Sequence, residues 1–477
     1  MLSERGIKDE NRESPKLVGD LNWDGLHRPK IYYAVAATFC GLFLSVLDGT
    51  ICNVALPAIA EELGVSPADS IWIVNAFQLV IMMLLLPFST LGELVGYKKV
   101  YNIGVLLFTA GSLFCALASG FYALVAARVF QGIGSAMIMS VNTSLVKIIY
   151  PKRHLGKGVG LNATVVAIAS VTGPSVAAGI LSIATWEWLF AINVPLGILT
   201  WILAGKYLPE NPTRVTGRRF NWKDAGLNAA TFGLMIGCLE AYSHGADWHM
   251  VAVVAVVFII VAAVYVQSQK GRQFPMLPFD LLKIPVFSMS VGTSIISFTC
   301  QQLVFISMPF MLMHTYGYDT TVTGLLMTAS PVAIMFVAPM AGWMIGKVHP
   351  GLLGGIGIGL MSLACFSFCF MPDEVRPSGF VWRMMLFGTG FGLFQSPNNH
   401  ILLSSAPAHR TGSAGGMLAS ARLVGQTTGA ALVALLFSFS AAGTAPHNAM
   451  LLSGILSLAG ATLSSLRMKA GFEYREK

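Results

Sequence analysis

Charge is what this sequence has least of. Aspartate, glutamate, lysine and arginine make up 11% of it, against roughly 25% in a soluble domain. They are crowded between long apolar stretches, because a charge at the centre of a bilayer is costly unless it is paired or hydrated. That spacing excludes water as the main solvent. Cysteine is sparse as well. Cys40, Cys52, Cys115, Cys238, Cys300, Cys365 and Cys369 are odd in number and all lie in apolar runs, which argues against a disulfide framework. Cys365 and Cys369 stand one helical turn apart, but no further Cys or His stands beside them to complete a metal site. No nucleotide-binding loop, metal-ligand cluster or nucleophile elbow occurs, and no polar stretch is long enough for an ATP-hydrolysing domain. The chain reads as no enzyme and needs no cofactor, so energy for any transport comes from an ion gradient or a partner.

What is present is hydrophobic: 55% of the residues, with a mean hydropathy of +0.69. The net charge of +8 is not a nucleic-acid signature, because the basic residues sit in short loops between apolar runs. Runs of roughly 20 residues, the length that spans a bilayer, occur at 31–57, 70–91, 100–118, 122–147, 157–183 and 188–207. A separate pair follows at 224–242 and 249–267, then 286–313, 322–345, 352–371, 378–403, 413–438 and 448–466. The expected fold is an all-α polytopic membrane protein of about 14 spans, grouped six, two and six. The corresponding divisions are a tail at 1–30, a first bundle at 31–207, a linker with two extra spans at 208–285, a second bundle at 286–467 and a tail at 468–477. The first tail mixes acids and bases without an apolar core, unlike a cleavable signal peptide.

Loop charges give the orientation. Lys98, Lys99, Lys152, Arg153, Lys157, Arg214, Arg218, Arg219, Lys223, Lys270, Arg272, Lys283, Lys347 and Arg410 fall on one side, which is the cytoplasm; Glu61, Glu62, Asp69, Asp247, Asp319, Asp373 and Glu374 fall on the other, with Arg376 as the main basic exception there. An even span count then puts both termini in the cytosol.

Polar residues inside the spans carry the chemistry. Asp48 is the one acid well inside the first six spans, roughly 25 Å from the cytosolic start of span one. Arg128, on span four, lies about 9 Å from the outer face, a depth comparable with that of Asp48. An acid and a base at matching depth can meet. Proton coupling requires a carboxylate whose proton occupancy changes with exposure and with a neighbouring cation; Asp48 has that chemistry, with Arg128 tuning it. A cationic substrate competing for the same carboxylate would give antiport. The competing reading is a static ion pair holding two helices together.

The stretch 91–99 (LGELVGYKK) forms a tight basic turn in which Glu93, Gly96, Lys98 and Lys99 are candidate gating residues, Glu93 being suited to the N-terminus of another helix. In span five, 172–179 (TGPSVAAG), Gly173 and Gly179 permit helix contact and Pro174 removes a backbone hydrogen bond, which reads as a hinge. Asn53, Gln78, Gln131, Gln301, Gln302, Phe305 and Asn398 are candidate substrate contacts, with hydrogen bonds between helices as the competing reading for the amides. Arg422 lies deep in span thirteen with no acid evident in its half. A weak internal repeat relates Arg128, Gly132 and Gly134 in span four to Arg383, Gly388 and Gly390 in span twelve, and Gly173 and Gly179 to Gly425 and Gly429.

These stretches resemble the 14-span drug:proton antiporter family of the major facilitator superfamily (EmrB/QacA type). The resemblance rests on 47–57 (LDGTICNVALP), 128–134 (RVFQGIG), Gly173-Pro174 with Gly179, 186–195 (WEWLFAINVP), 388–398 and 410–429. It implies two six-helix bundles with a central inserted pair, and roles for Asp48 and Arg128 in proton coupling. It further implies export of amphipathic, cationic compounds by alternating access in the inner membrane of a bacterium. Protons, small molecules and the bilayer are then the partners, and nucleic acid is not; whether a periplasmic adaptor joins them stays open. The chain departs from the family in the turn after span two, where Ser89, Glu93, Leu94 and Tyr97 stand for the usual Gly, Asp, Arg and Arg, and at Glu187, which replaces an Arg between two tryptophans. By resemblance, Glu93 would dock at the start of span thirteen near Gly412. An endogenous metabolite or organic anion as cargo, with Arg128 or Arg422 as counter-charge, and a passive channel are the competing functions.

Overall fold

The computed structural model describes residues 16–19, 23–216, 220–243, 247–270, 279–345, 347–372, 376–406, 411–440 and 444–468. Both expected tails in large part, Arg218, Arg219, Arg272, Asp373, Glu374 and Arg410 lie outside them.

Twelve helices among the described residues are long and apolar enough to cross a membrane. They are α1 (Lys30–Leu63), α2 (Pro67–Val95), α3 (Tyr97–Ala116), α4 (Phe121–Ile149), α5 (Leu155–Leu181) and α6 (Glu187–Tyr207) in the first part. The others are α8 (Trp248–Gln269), α9 (Pro285–Thr315), α10 (Thr320–Met344), α11 (Pro350–Cys369), α13 (Thr411–Phe439) and α14 (Ala445–Leu466). Two further segments expected as spans are helical too. These are α7 (Trp222–Ser243, 22 residues) and α12 (Pro377–Ser404, 28 residues), but neither holds a sufficiently apolar stretch. Lys223, Asp224 and Asn228 dilute α7; Arg383, Asn398, Asn399 and His400 dilute α12.

Local sequence sets the ends. Pro57 does not stop α1, which runs on to Leu63 and closes on Gly64 at φ +63°. A proline inside a membrane helix frees one carbonyl, which neighbouring helices can accommodate. Ser66 then caps α2, its hydroxyl accepting from the Asp69 N–H at 3.1 Å, with Pro67 in the first turn. Gly96, at φ +109°, makes the turn between α2 and α3, a backbone state that glycine adopts without strain.

The all-helical expectation has one exception. Strands β1 (Lys16–Gly19) and β2 (Thr213–Thr216) pair antiparallel, with Lys16 opposite Thr216 and Gly19 opposite Thr213. Both are short stretches with β-branched residues outside the helices, and their pairing puts the segment before α1 beside the segment after α6.

Helix packing repeats at an offset of eight. α4 packs on α2 and α3 as α12 packs on α10 and α11; α1 packs on α5 and α6 as α9 packs on α13 and α14; α3 meets α6 as α11 meets α14. The glycines explain the close approaches. A Cβ at Gly132 would stand 2.9 Å from the Phe77 carbonyl oxygen of α2, and one at Gly134 2.3 Å from the Phe108 nitrogen of α3. At Gly388 it would stand 2.2 Å from the Ser330 carbonyl oxygen of α10, and at Gly390 2.5 Å from the Gly357 carbonyl oxygen of α11. The two sets of helices meet through α1 with α9, α2 with α13 and α5 with α10. α7 lies on both α2 and α13, one helix from each set, and carries the largely exposed α8.

Candidate functional site

Asp48 and Arg128 meet in the first set of helices. Asp48 on α1 is 2% exposed and Arg128 on α4 is fully buried, and the Arg128 Nη1 donates to Asp48 Oδ2 in an ion pair. The carboxylate has two more donors on its other oxygen: Gln131 Nε2 at 2.9 Å and Asn193 Nδ2 at 2.8 Å. Arg128 is held in turn by the Ile73 carbonyl at 3.0 Å and Gln131 Oε1 at 2.6 Å, and its guanidinium lies 4.1 Å from the Phe77 ring centroid. Donors from two helices, α4 and α6, thus converge on the carboxylate of α1, and α2 holds the arginine through the Ile73 carbonyl. Charge-assisted hydrogen bonds of this kind are the strong ones, and a buried acid and base held this way need no solvent.

Gln131, expected among substrate contacts, is instead committed to this network. Its amide nitrogen also donates to Ser112 Oγ at 2.8 Å, and its oxygen accepts from the Cys115 thiol at 3.6 Å. That leaves it no free polar atom for a ligand, because neighbouring helices enclose it completely. Asn193 carries no such expectation from sequence, although an amide inside the apolar stretch 186–195 is the signal that points to it.

The span-five residues divide. A Cβ at Gly173 would meet Thr50 Oγ1 of α1 at 2.1 Å, two residues beyond Asp48. The Pro174 carbonyl lies against Gly324 of α10, where a Cβ would be 2.8 Å away, and Ser175 and Thr328 share a hydrogen bond of 2.9 Å. Gly179, in contrast, is exposed with nothing within 4 Å; it makes no close helix contact, because it is turned about 100° from the buried Ala178, which still meets Gly324 of α10.

At the α2–α3 turn, the Tyr97 N–H donates to Asn211 Oδ1 at 2.8 Å and Asn211 Nδ2 donates to the Gly92 carbonyl at 3.3 Å. Asn211, in the linker after α6, thus clasps the turn that holds Glu93 and Gly96, while Lys98 is half-buried and Lys99 exposed. α2 does pack on α13, but the side chains of residues 411–413 are outside the described ones, as are residues 407–410, so the expected Glu93 dock near Gly412 lies there.

Three expected substrate contacts are buried with an unmatched polar atom: Asn53 Oδ1 on α1, Gln78 Oε1 on α2 and Gln302 Nε2 on α9. Phe305 is buried on α9, and Gln301 is partly exposed. Asn398 is taken up within the second set. It donates to Ser294 Oγ at 2.7 Å and accepts from Arg467 Nη1 at 2.5 Å. Arg467, buried just past α14, also donates to Ser290 Oγ at 3.0 Å and to Ser464 Oγ. Its place at a helix C-terminus suits a cation, and sequence reading passes over it as a loop charge.

Long helices that mesh on glycines around a buried charge pair make this a multi-pass membrane transporter. The chain belongs to the Major Facilitator Superfamily, whose family model matches residues 38–430. It is 47% identical over 446 residues to the uncharacterized transporter YebQ of Escherichia coli (strain K12), covering 93% of this chain and 97% of that one. It is 27% identical to the riboflavin transporter RibZ of Clostridioides difficile (strain 630), covering 84% and 87%, and 28% identical to the multidrug resistance protein Stp of Mycobacterium tuberculosis (strain CDC 1551 / Oshkosh), covering 86% and 77%. Among solved structures, a bacterial homolog of the human lysosomal transporter Spinster aligns with a TM-score of 0.67 at 14% identity, over 95% of this chain and 100% of that one. A D-xylose–proton symporter aligns equally well, TM-score 0.67 at 14% identity, over 91% and 97%.

Proposed function

We propose that the protein is a proton-coupled exporter of amphipathic small molecules that works by alternating access in the inner membrane of a bacterium. The observation that carries this reading is the Asp48 site: one buried carboxylate bound by a guanidinium and two amides from separate helices. A proton taken up from the outer side neutralises Asp48, removes its pairing with Arg128 and loosens α1 from α4; release to the cytosol restores the pair. Gly173 rests on Thr50 of the same helix, and the next residue, Pro174, rests on α10 of the other set. A change at Asp48 has a short route to the seam through that contact.

In this reading α7 and α12 also cross, giving about 14 spans, with α1–α6 and α9–α14 as the transport bundles and both termini cytosolic. The basic loops on one side support that orientation. α7 and α8 brace the seam: Asn228 donates to the Met83 carbonyl of α2 at 2.7 Å and accepts from the Tyr265 hydroxyl at 2.9 Å. Asn53, Gln78 and Gln302, each with an unmatched polar atom, are the substrate contacts, because a buried polar group without a partner is costly until a ligand supplies one. The relative Stp, a multidrug resistance protein by name, supports drugs as cargo, and the relative RibZ, a riboflavin transporter by name, supports a metabolite. Export of a compound panel from intact cells, with and without collapse of the proton gradient, tests the reading. Gradient-dependent export of some compounds is expected; export unaffected by the collapse contradicts it.

An organic anion as cargo is the second reading. It is favoured by the state of the charges: Asp48 is fully engaged, whereas Arg422 is not.

A further inference from the structure

Arg422 stands apart from every other arginine in the membrane-spanning helices. Arg128 is paired with Asp48, and Arg383 donates to the Ser367 and Gly379 carbonyls at 3.0 and 2.8 Å. Arg422, within the apolar stretch of α13, has a buried Nε with no hydrogen-bond partner, and no ion pair reaches it among the described residues. The residue as a whole keeps partial exposure. A cation in a membrane interior demands a counter-charge, a cavity or a polar ligand.

The surroundings define what that ligand must be. Gly429 stands seven residues after Arg422 on nearly the same face of α13, about 10 Å along the axis. A Cβ there would lie 2.8 Å from the Gln302 Cβ of α9, and Gln302 Nε2 is the second buried donor without a partner on this α9–α13 contact. Between them, Phe298 of α9 lies against Gly425. α9 and α13 pack closely at Gly425 and Gly429, and the order along their contact is cation, aromatic, amide donor. No carboxylate lies free in the described spans of this half to meet a cationic substrate.

We infer that Arg422 is the substrate's counter-charge, and that the cargo is an elongated amphipathic organic anion with a carboxylate or phosphate-like group at Arg422, an apolar body along Phe298 and an acceptor at Gln302. This rests on the exporter reading above and assigns its substrate class, in place of the cationic compounds that the family resemblance suggests.

The test compares two xanthene dyes of similar size, anionic fluorescein and cationic rhodamine 6G. Binding is read by fluorescence anisotropy on the full-length protein in nanodiscs of phosphatidylcholine alone, where no anionic lipid competes, and without a pH gradient. Wild type binds fluorescein saturably. Arg422→Gln weakens that binding at least about tenfold, some 1.4 kcal/mol, Arg422→Lys restores part of it, and neither changes rhodamine 6G. Gln302→Leu weakens fluorescein binding without touching Arg422, which keeps the proposal testable if Arg422→Gln folds poorly. Adding phosphatidylglycerol to the nanodiscs and losing fluorescein binding would assign the site to a lipid headgroup and overturn the proposal, as would unchanged fluorescein binding in Arg422→Gln or no saturable binding in wild type. Arg422-dependent binding without gradient-driven dye accumulation in proteoliposomes would sink the proton-coupled reading and leave this one standing.

Discussion

The two helices α4 and α12 hold the same devices one residue out of step. Gly132 and Gly134 bring α4 against α2 and α3, and Gly388 and Gly390 bring α12 against α10 and α11. Arg128 precedes Gly132 by four residues, but Arg383 precedes Gly388 by five. One extra residue turns a side chain by about 100° around a helix. Arg128 therefore points inward to Asp48, while Arg383 stays half-buried beside the Trp382 ring, spent on two backbone carbonyls. Packing has been duplicated between the halves and charge chemistry has not. The glycines define how helices mesh, whereas the rotational phase of a single side chain decides whether the mesh encloses a buried ion pair.

Several substitutions break or sharpen that contrast. The largest effect is expected from Asp48→Asn, which should drop gradient-driven export to background while Arg383→Gln exports like wild type, measured side by side in cells expressing equal protein. Next is Arg128→Gln. It strands a buried carboxylate and should cost about 3–5 kcal/mol, read as a marked fall in Tm in detergent. The matching Arg383→Gln should cost about 1 kcal/mol. Gly134→Ala and Gly390→Ala should destabilise the two halves alike, by about 1–3 kcal/mol each, because the added methyl would meet backbone atoms at 2.3 and 2.5 Å. Gly179→Ala, with open space around it, should leave Tm unchanged or slightly raised. A small and local effect belongs to Asn211→Ala, which removes two hydrogen bonds from the α2–α3 turn. Trypsin should then cut at Lys98 or Lys99 faster in inside-out vesicles, with little change in Tm.

The encounter of Asp48 with Arg128 is legible in sequence because both depth and charge can be counted along a helix of fixed rise. The glycine repeat is legible for the same reason, although its one-residue offset looks like noise until the neighbours of each glycine are seen. Asn193 and Gln131 are not assignable that way. An amide inside a span serves equally well between helices or toward a ligand, and only the rotation of α4 and α6 commits these two to Asp48. Arg467 escapes notice because it directly follows α14, where a basic residue ordinarily marks a cytosolic loop; its burial depends on α9, α11, α12 and α14 closing around it. Asn211 escapes because a polar linker discloses nothing about which turn it clasps. Gly179 shows the reverse error, since a small residue in a span licenses close packing without requiring it.

In the proposed function Asp48 carries the coupled proton. That role is tested most directly with Asp48→Asn in proteoliposomes, using a dye that the intact-cell panel shows to be exported. The variant should still exchange dye in both directions at equal pH, because alternation does not require a gradient, and should fail to concentrate it when a pH gradient is imposed. Concentrative uptake by Asp48→Asn at the wild-type level would contradict the account.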